Sequence, residues 1–144
     1  MQTRRHPAIT GAAVLFLFAG GIGVAFGAFG FLFIASTGQL PGFAGIRFWG
    51  GGLFESLGGI PGIMVSLIPW AILGGFEIIS GVWLWSSLRR GGWMALALTP
   101  AATVFMIGYG APFGYVVVPL RVLLVILGWR NLGQVSPRPA QVAL

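Results

Sequence analysis

Four long apolar runs, almost free of charge, constrain this chain more than anything else in it. A helix that crosses a bilayer needs about 20 consecutive, mostly apolar residues. The sequence supplies such runs at about 8–36, 60–88, 92–109 and 113–130. The first and third carry no charge. The second carries only Glu77, and the fourth, before its terminal Arg130, only Arg121. None alternates polar and apolar residues as a barrel strand does, so the runs read as helices and the fold as all-α. Charged residues make up 7% of the chain, against about 25% in ordinary soluble domains. A chain so poor in charge cannot cover its apolar surface in water, whereas in lipid an apolar exterior is the solvated one. At 144 residues the chain reads as a single transmembrane domain, an integral membrane four-helix bundle.

The arginines set its orientation. The net charge of +6 comes wholly from Arg, with no Lys. A basic chain can signal nucleic acid, but these arginines sit at span ends, as the positive-inside rule places them, and no nucleic-acid partner is expected. Arg4 and Arg5 precede the first run, Arg89 and Arg90 separate the second from the third, and Arg130 and Arg138 follow the fourth. With four spans these six share one side, and only Arg47 falls on the other. That split predicts both termini in the cytoplasm. Trp83, Trp85, Trp93 and Trp129 gather toward the same side, and Trp49, Trp70, Tyr109 and Tyr115 toward the opposite one, as interfacial aromatic belts do.

The first run, near 30 residues, is much longer than the roughly 7–15-residue core of a signal peptide, and reads as a retained span. The connection at about 37–59 is Gly-rich yet apolar. It reads as an interfacial segment with a short amphipathic helix near 53–57. The stretch 133–144, with Pro137 and Pro139, reads as a mobile cytoplasmic tail.

Glu77 lies 12 residues before Arg89, and Arg121 lies 9 residues before Arg130. At about 1.5 Å per residue these are depths of roughly 18 Å and 14 Å. The two helices run in the same direction there, so the charges sit at similar depth. An unpaired charge near the bilayer centre costs at least about 2.5–3.5 kcal/mol, and pairing removes most of that cost. Glu77 and Arg121 are therefore predicted to form an intramembrane ion pair. Such a pair is either a proton- or cation-coupling site or a fixed strut between helices. Ser66, Ser80 and Thr103 add hydroxyls at membrane depth, where most bond their own backbone.

The chain holds 25 glycines. Ala19, Gly23 and Gly27 form a small-residue stripe on the first helix, widened by Gly20 and Gly30, and Gly74 and Gly81 offer a similar face on the second. Small residues let membrane helices approach closely, inside the bundle or against another subunit. Pro69, Pro100 and Pro119 each remove a backbone hydrogen bond and predict kinks, either static bends or the lining of a cavity.

Much chemistry is missing. There is no Cys and no Asp, and the sole His is His6, outside the spans. Metal catalysis and triad hydrolysis lack their parts. No span offers an axial ligand for haem or a chlorophyll-type pigment. Gly50-Gly51-Gly52 is followed by no Lys and is not a phosphate loop. The chain reads as no enzyme, with no metal and no cofactor of its own, although lipid, pigment or quinone tails suit grooves between kinked helices.

Gly75-Phe76-Glu77-Ile78-Ile79-Ser80-Gly81-Val82-Trp83-Leu84-Trp85, followed by Arg89-Arg90-Gly91-Gly92-Trp93, resembles a pattern of small four-helix bacterial inner-membrane proteins, the DoxX-like and uncharacterised families. There a Glu in an apolar helix is followed by Gly and then by a short basic turn with Trp. The resemblance covers about a seventh of the chain. It implies a multi-pass protein of the bacterial inner membrane, and it speaks to fold more than to activity. The expected function is that of a non-catalytic accessory subunit in a larger membrane complex of respiratory or photosynthetic electron-transfer type, packed against other transmembrane subunits and lipids. The alternative is a small homo-oligomeric transporter or channel with Glu77 as its coupling site. Small multidrug transporters also pair four helices with a membrane carboxylate, but theirs lies in the first helix.

Overall fold

The computed structural model describes residues 6–43, 46–47, 52–110 and 114–133. The readings that concern Arg4, Arg5, Trp49, Arg138 and the tail beyond Gly133 lie outside the described residues. The described chain is helical apart from one minimal strand pair. It contains α1 (Pro7–Thr37), β1 (Gly42–Phe43), β2 (Ile46–Arg47), α2 (Leu53–Trp85), α3 (Arg89–Tyr109) and α4 (Gly114–Gly128), the last continued by a 3₁₀ turn at Trp129–Asn131. With that turn, the four helices have 31, 33, 21 and 18 residues, each long and apolar enough to cross a membrane. The strands pair antiparallel, Gly42 opposite Arg47 and Phe43 opposite Ile46.

Local chemistry sets the helix ends. His6 caps α1, its Nδ1 accepting from the Ala8 N–H at 3.3 Å. Pro7 follows at the first helical position, where its missing N–H costs nothing. Gly38 ends α1 in the left-handed region, at φ 69°, and donates its N–H to the Ile34 carbonyl. The second helix starts at Leu53 rather than near 60, because the short segment at 53–58 is itself helical and runs into the main helix. The joint is Gly59, at φ 57° and ψ −149°, the only non-helical residue inside α2. That conformation is closed to residues with a Cβ. Leu53 and Leu57 face outward from this segment while Phe54 turns inward onto Tyr109, with ring centroids 5.1 Å apart.

The α2–α3 connection spans only 86–88. Ser87 stands at φ 55°. Its carbonyl accepts the Gly133 N–H at 2.8 Å, which ties the end of the 3₁₀ turn to this corner. Arg89 and Arg90 occupy the first turn of α3, where the helix dipole disfavours cations. Aromatic faces offset this: Arg90 lies 4.4 Å from the Trp83 ring centre and Arg89 lies 5.8 Å from that of Trp129.

Apolar residues encircle α1, so amphipathicity cannot choose its packed face. Small side chains choose it instead. The buried positions from Ala13 onward are Phe16, Gly20, Gly23, Gly27, Gly30 and Ile34, alternating steps of three and four as in a left-handed coiled coil. This face lies on α2. A Cβ placed on Gly74 meets the Gly20 carbonyl oxygen at 2.7 Å, and one on Gly23 meets the Gly74 Cα at 3.2 Å. The two backbones touch there, with no side chain between them.

The core lies in two layers on either side of this crossing. Toward the arginine-rich end, Ile9, Phe16, Leu84, Ala95, Val125 and Leu132 pack together. Toward the opposite end, Ile34, Ile63, Leu67 and Tyr109 do so, with Phe54, Trp70 and Phe105 against them. The outer surface is apolar, with Phe18, Leu32, Val65 and Val116 each about two-thirds exposed.

Two neighbouring glycines test the crossing. Gly74→Val drives side-chain atoms into the Gly20 backbone and is expected to cost about 1–3 kcal/mol or more. At Gly75 an added Cβ meets nothing within 4 Å, so Gly75→Ala is expected to leave stability unchanged or raise it by up to about 1 kcal/mol. Unfolding in detergent followed by circular dichroism measures both. Equal losses at the two positions exclude direct backbone contact at Gly74.

Candidate functional site

Between the two apolar layers lies the bundle's polar centre. Glu77 sits on α2, eight residues before its last residue, Trp85. Arg121 sits seven residues from each end of α4, about 10 Å of helix either way. Both are buried, with 4% and 1% of their surfaces exposed. The structure brings them together: Arg121 Nη1 donates to Glu77 Oε1 at 2.5 Å. The Phe16 ring lies against the guanidinium, 4.6 Å from its carbon to the ring centre. Three helices thus converge on one charge, with α2 supplying the carboxylate, α4 the cation and α1 the aromatic face.

The guanidinium is only partly satisfied. Its Nε and Nη2 have no hydrogen-bond partner among the described residues and are sealed from water-sized access. Buried donors are normally paired, and each unpaired one costs about 1–3 kcal/mol. Arg121 therefore carries unused donor capacity inside the bundle.

A cavity of about 210 Å³ adjoins the pair. Glu77 and Arg121 form part of its wall, and the remainder is apolar or aromatic, including Trp70, Ala102, Phe105 and Tyr109. All four helices contribute. Phe18 and Ile22 of α1 and Val117 and Val118 of α4 are among the lining residues. Phe18 is 66% exposed, so part of the cavity wall belongs to the outer, apolar surface of the bundle. Lower down, toward the arginine-rich end, α1 and α4 close against each other, with the Ile9 side chain against Gly128 and Leu124 against Gly11.

The hydroxyls divide into two kinds. Ser80 Oγ donates across the helix boundary to the Gly91 carbonyl at 3.0 Å, joining α2 to α3. Ser66 Oγ donates to the Ile63 carbonyl at 2.7 Å and lies 2.9 Å from the Tyr109 hydroxyl. A serine has one hydroxyl proton, so Tyr109 is the donor to Ser66. Thr103 bonds back to the Thr99 carbonyl within its own helix.

The small residues are placed as follows. Gly23, Gly27, Gly74 and Gly81 are buried and packed inside the bundle. A Cβ on Gly27 meets the Ala71 Cβ at 2.9 Å, and one on Gly81 meets Leu17 Cγ at 2.8 Å. Ala19 is half-buried and lines the cavity rather than the crossing, where Gly20 takes the contact. Pro69, Pro100 and Pro119 lie within helices and are exposed on the outer surface, and the backbone break in α2 falls at Gly59. None of the three forms the wall beside the ion pair, although Pro119 borders an apolar groove between α3 and α4.

Sequence reasoning does not reach Phe16, Trp70, Ala102 or Tyr109 as site residues. Phe16 and Ala102 resemble any apolar residue in a span, and Trp70 and Tyr109 read as interfacial. The one usable signal was Ser66, whose depth matches that of Tyr109 from the same end. No family model matches the chain, and neither a curated protein nor a solved structure is found to be similar to it.

The ion pair makes a sharp prediction. Arg121→Met alone leaves a buried carboxylate without its partner and is expected to destabilise the bundle by about 3–5 kcal/mol. Glu77→Gln combined with Arg121→Met removes both charges and is expected to lie near the wild type. Detergent unfolding of the single and double variants measures the difference. A double variant no better than the single one rules out pairing as the source of the loss.

Proposed function

We propose that this chain is a non-catalytic subunit of a larger membrane complex, embedded in the bacterial inner membrane with both termini in the cytoplasm. One observation carries the reading. The α2–α3 and α3–α4 connections are only 86–88 and 110–113, too short to form a module outside the bilayer. Large apolar side chains are exposed along all four helices, which supports lipids or other transmembrane helices as the chain's partners. The paired Glu77 and Arg121 fit a strut that holds α2 to α4 while neighbours pack on the outside. Because the glycine stripe is used up within the bundle, contacts with other subunits fall to large apolar side chains such as Phe26, Phe29 and Leu32. An electron-transfer complex of respiratory or photosynthetic type suits a chain that offers packing surface rather than reactive groups.

One observation favours a second reading, a homo-oligomeric transporter: Glu77 lines a cavity. Proton-coupled flux in liposomes that disappears in Glu77→Gln supports that reading, and flux unchanged by the substitution removes Glu77 from it.

Extraction from the native membrane in mild detergent, followed by mass spectrometry of what co-migrates, tests the subunit role. Larger subunits at fixed stoichiometry are expected, and the chain alone or bound only to itself opposes the proposal. Orientation is tested separately. The chain has no Cys, so single cysteines report cleanly. Gln39→Cys, exposed beyond α1, is expected to react with a membrane-impermeant maleimide in intact cells. Ser86→Cys, exposed at the α2–α3 turn, is expected to react only after permeabilisation. The reverse pattern inverts the topology.

A further inference from the structure

We propose that the cavity beside Arg121 is a binding site for a neutral, lipid-soluble carbonyl compound with a single-ring head, of the quinone type. The inference goes beyond the subunit role and stands whether or not partner subunits co-migrate.

Four observations converge. First, the wall contains a cation with donors to spare: Arg121 is 1% exposed, and its Nε and Nη2 lack partners among the described residues. One carbonyl oxygen has two lone pairs and accepts from both of these neighbouring N–H groups. The donors are sealed in this structure, so a small rotation of the guanidinium about its contact with Glu77 accompanies binding.

Second, the local charge balance selects a neutral ligand. Glu77 already neutralises Arg121. An entering carboxylate or phosphate leaves one uncompensated negative charge at mid-membrane depth, the situation that bilayers penalise most. A carbonyl supplies acceptor lone pairs without charge.

Third, size and wall chemistry suit a ring. The cavity measures about 210 Å³, and a dry apolar cavity of about 150 Å³ is enough for benzene. Trp70, Phe105 and Tyr109 supply aromatic surfaces at the wall, and Trp70 and Tyr109 themselves lie 4.9 Å apart between ring centroids. A flat head fits, while a long tail does not and must leave through the opening.

Fourth, the cavity wall includes an exposed apolar side chain, Phe18 at 66%. Ile22 on α1 and Val117 and Val118 on α4 also line the cavity. All four are apolar, so in this proposal a prenyl or alkyl tail leaves past Phe18. The α1–α4 contact at Ile9 and Gly128 closes the route toward the arginine-rich end.

The test uses the full chain in lipid nanodiscs, titrated with a decyl-substituted benzoquinone and read by quenching of tryptophan fluorescence. Two variants remove different parts of the site. Ala102→Leu fills the cavity and leaves both charged residues in place. Glu77→Leu with Arg121→Met keeps the space and removes the guanidinium donors together with the carboxylate, adding no new donor and orphaning no charge. Circular dichroism confirms helicity in each, and Ala102→Leu decides alone if the double variant does not fold. Saturable quenching in the wild type, weakened at least tenfold in the variants, supports the site. Non-saturable quenching of equal strength in all proteins overturns it as simple partition into lipid. Decanoate that displaces the quinone and binds more tightly overturns the neutral-ligand assignment in favour of an anion site.

Discussion

The bundle depends on one close backbone contact. In lipid, burying an apolar side chain between helices gains little, because acyl chains solvate it equally well. Helices associate where their surfaces fit closely or where polar groups meet. At Gly20 and Gly23 on α1 and Gly74 on α2, the side chains are absent and the backbones touch. Every other feature of the middle of the protein follows from this crossing. It brings α2 close enough to α1 for the Glu77–Arg121 pair to lie within reach of the Phe16 ring, and it separates the core into its two apolar layers.

The polar centre works alongside that contact. A carboxylate and a guanidinium at mid-depth are each costly alone, and their pairing ties α4 to α2 across the bundle. Ser80 does the same for α2 and α3 through the Gly91 carbonyl. The tie is incomplete, since one ion-pair hydrogen bond leaves two guanidinium donors over. Residual polarity beside an aromatic-walled space that opens to lipid is an uneconomical way to build a strut and a sound way to build a ligand site. A strut and the proposed binding role are compatible, because Nη1 alone holds Glu77 and leaves Nε and Nη2 over.

The arginine-rich end is held differently. There the contacts are cations on aromatic faces, a corner of three residues and a carbonyl at Ser87 that accepts the Gly133 N–H. Arg89 and Arg90 oppose the dipole of α3, yet the rings of Trp129 and Trp83 stabilise them. Interface chemistry overrides helix-terminus electrostatics because the dipole effect is small, about 0.3–1 kcal/mol, and easily screened.

Much of this was legible in the chain itself. Four apolar runs determine four helices, since a backbone in lipid must satisfy its hydrogen bonds internally. The depth of Glu77 and Arg121 follows from counting residues to the nearest arginines, because helical rise is constant. The glycine stripe is visible as spacing. What the sequence could not decide is which faces meet. Where apolar residues encircle every helix, periodicity carries no direction, so Ala19 and Gly20 are indistinguishable until α2 is in place. The break at Gly59 was hidden too, because glycine permits that conformation without requiring it. The cavity and its aromatic wall exist only in three dimensions. Ala102 and Phe105 are ordinary span residues in sequence, Trp70 and Tyr109 read as interfacial, and only the packing of four helices beside the ion pair brings them onto one cavity wall.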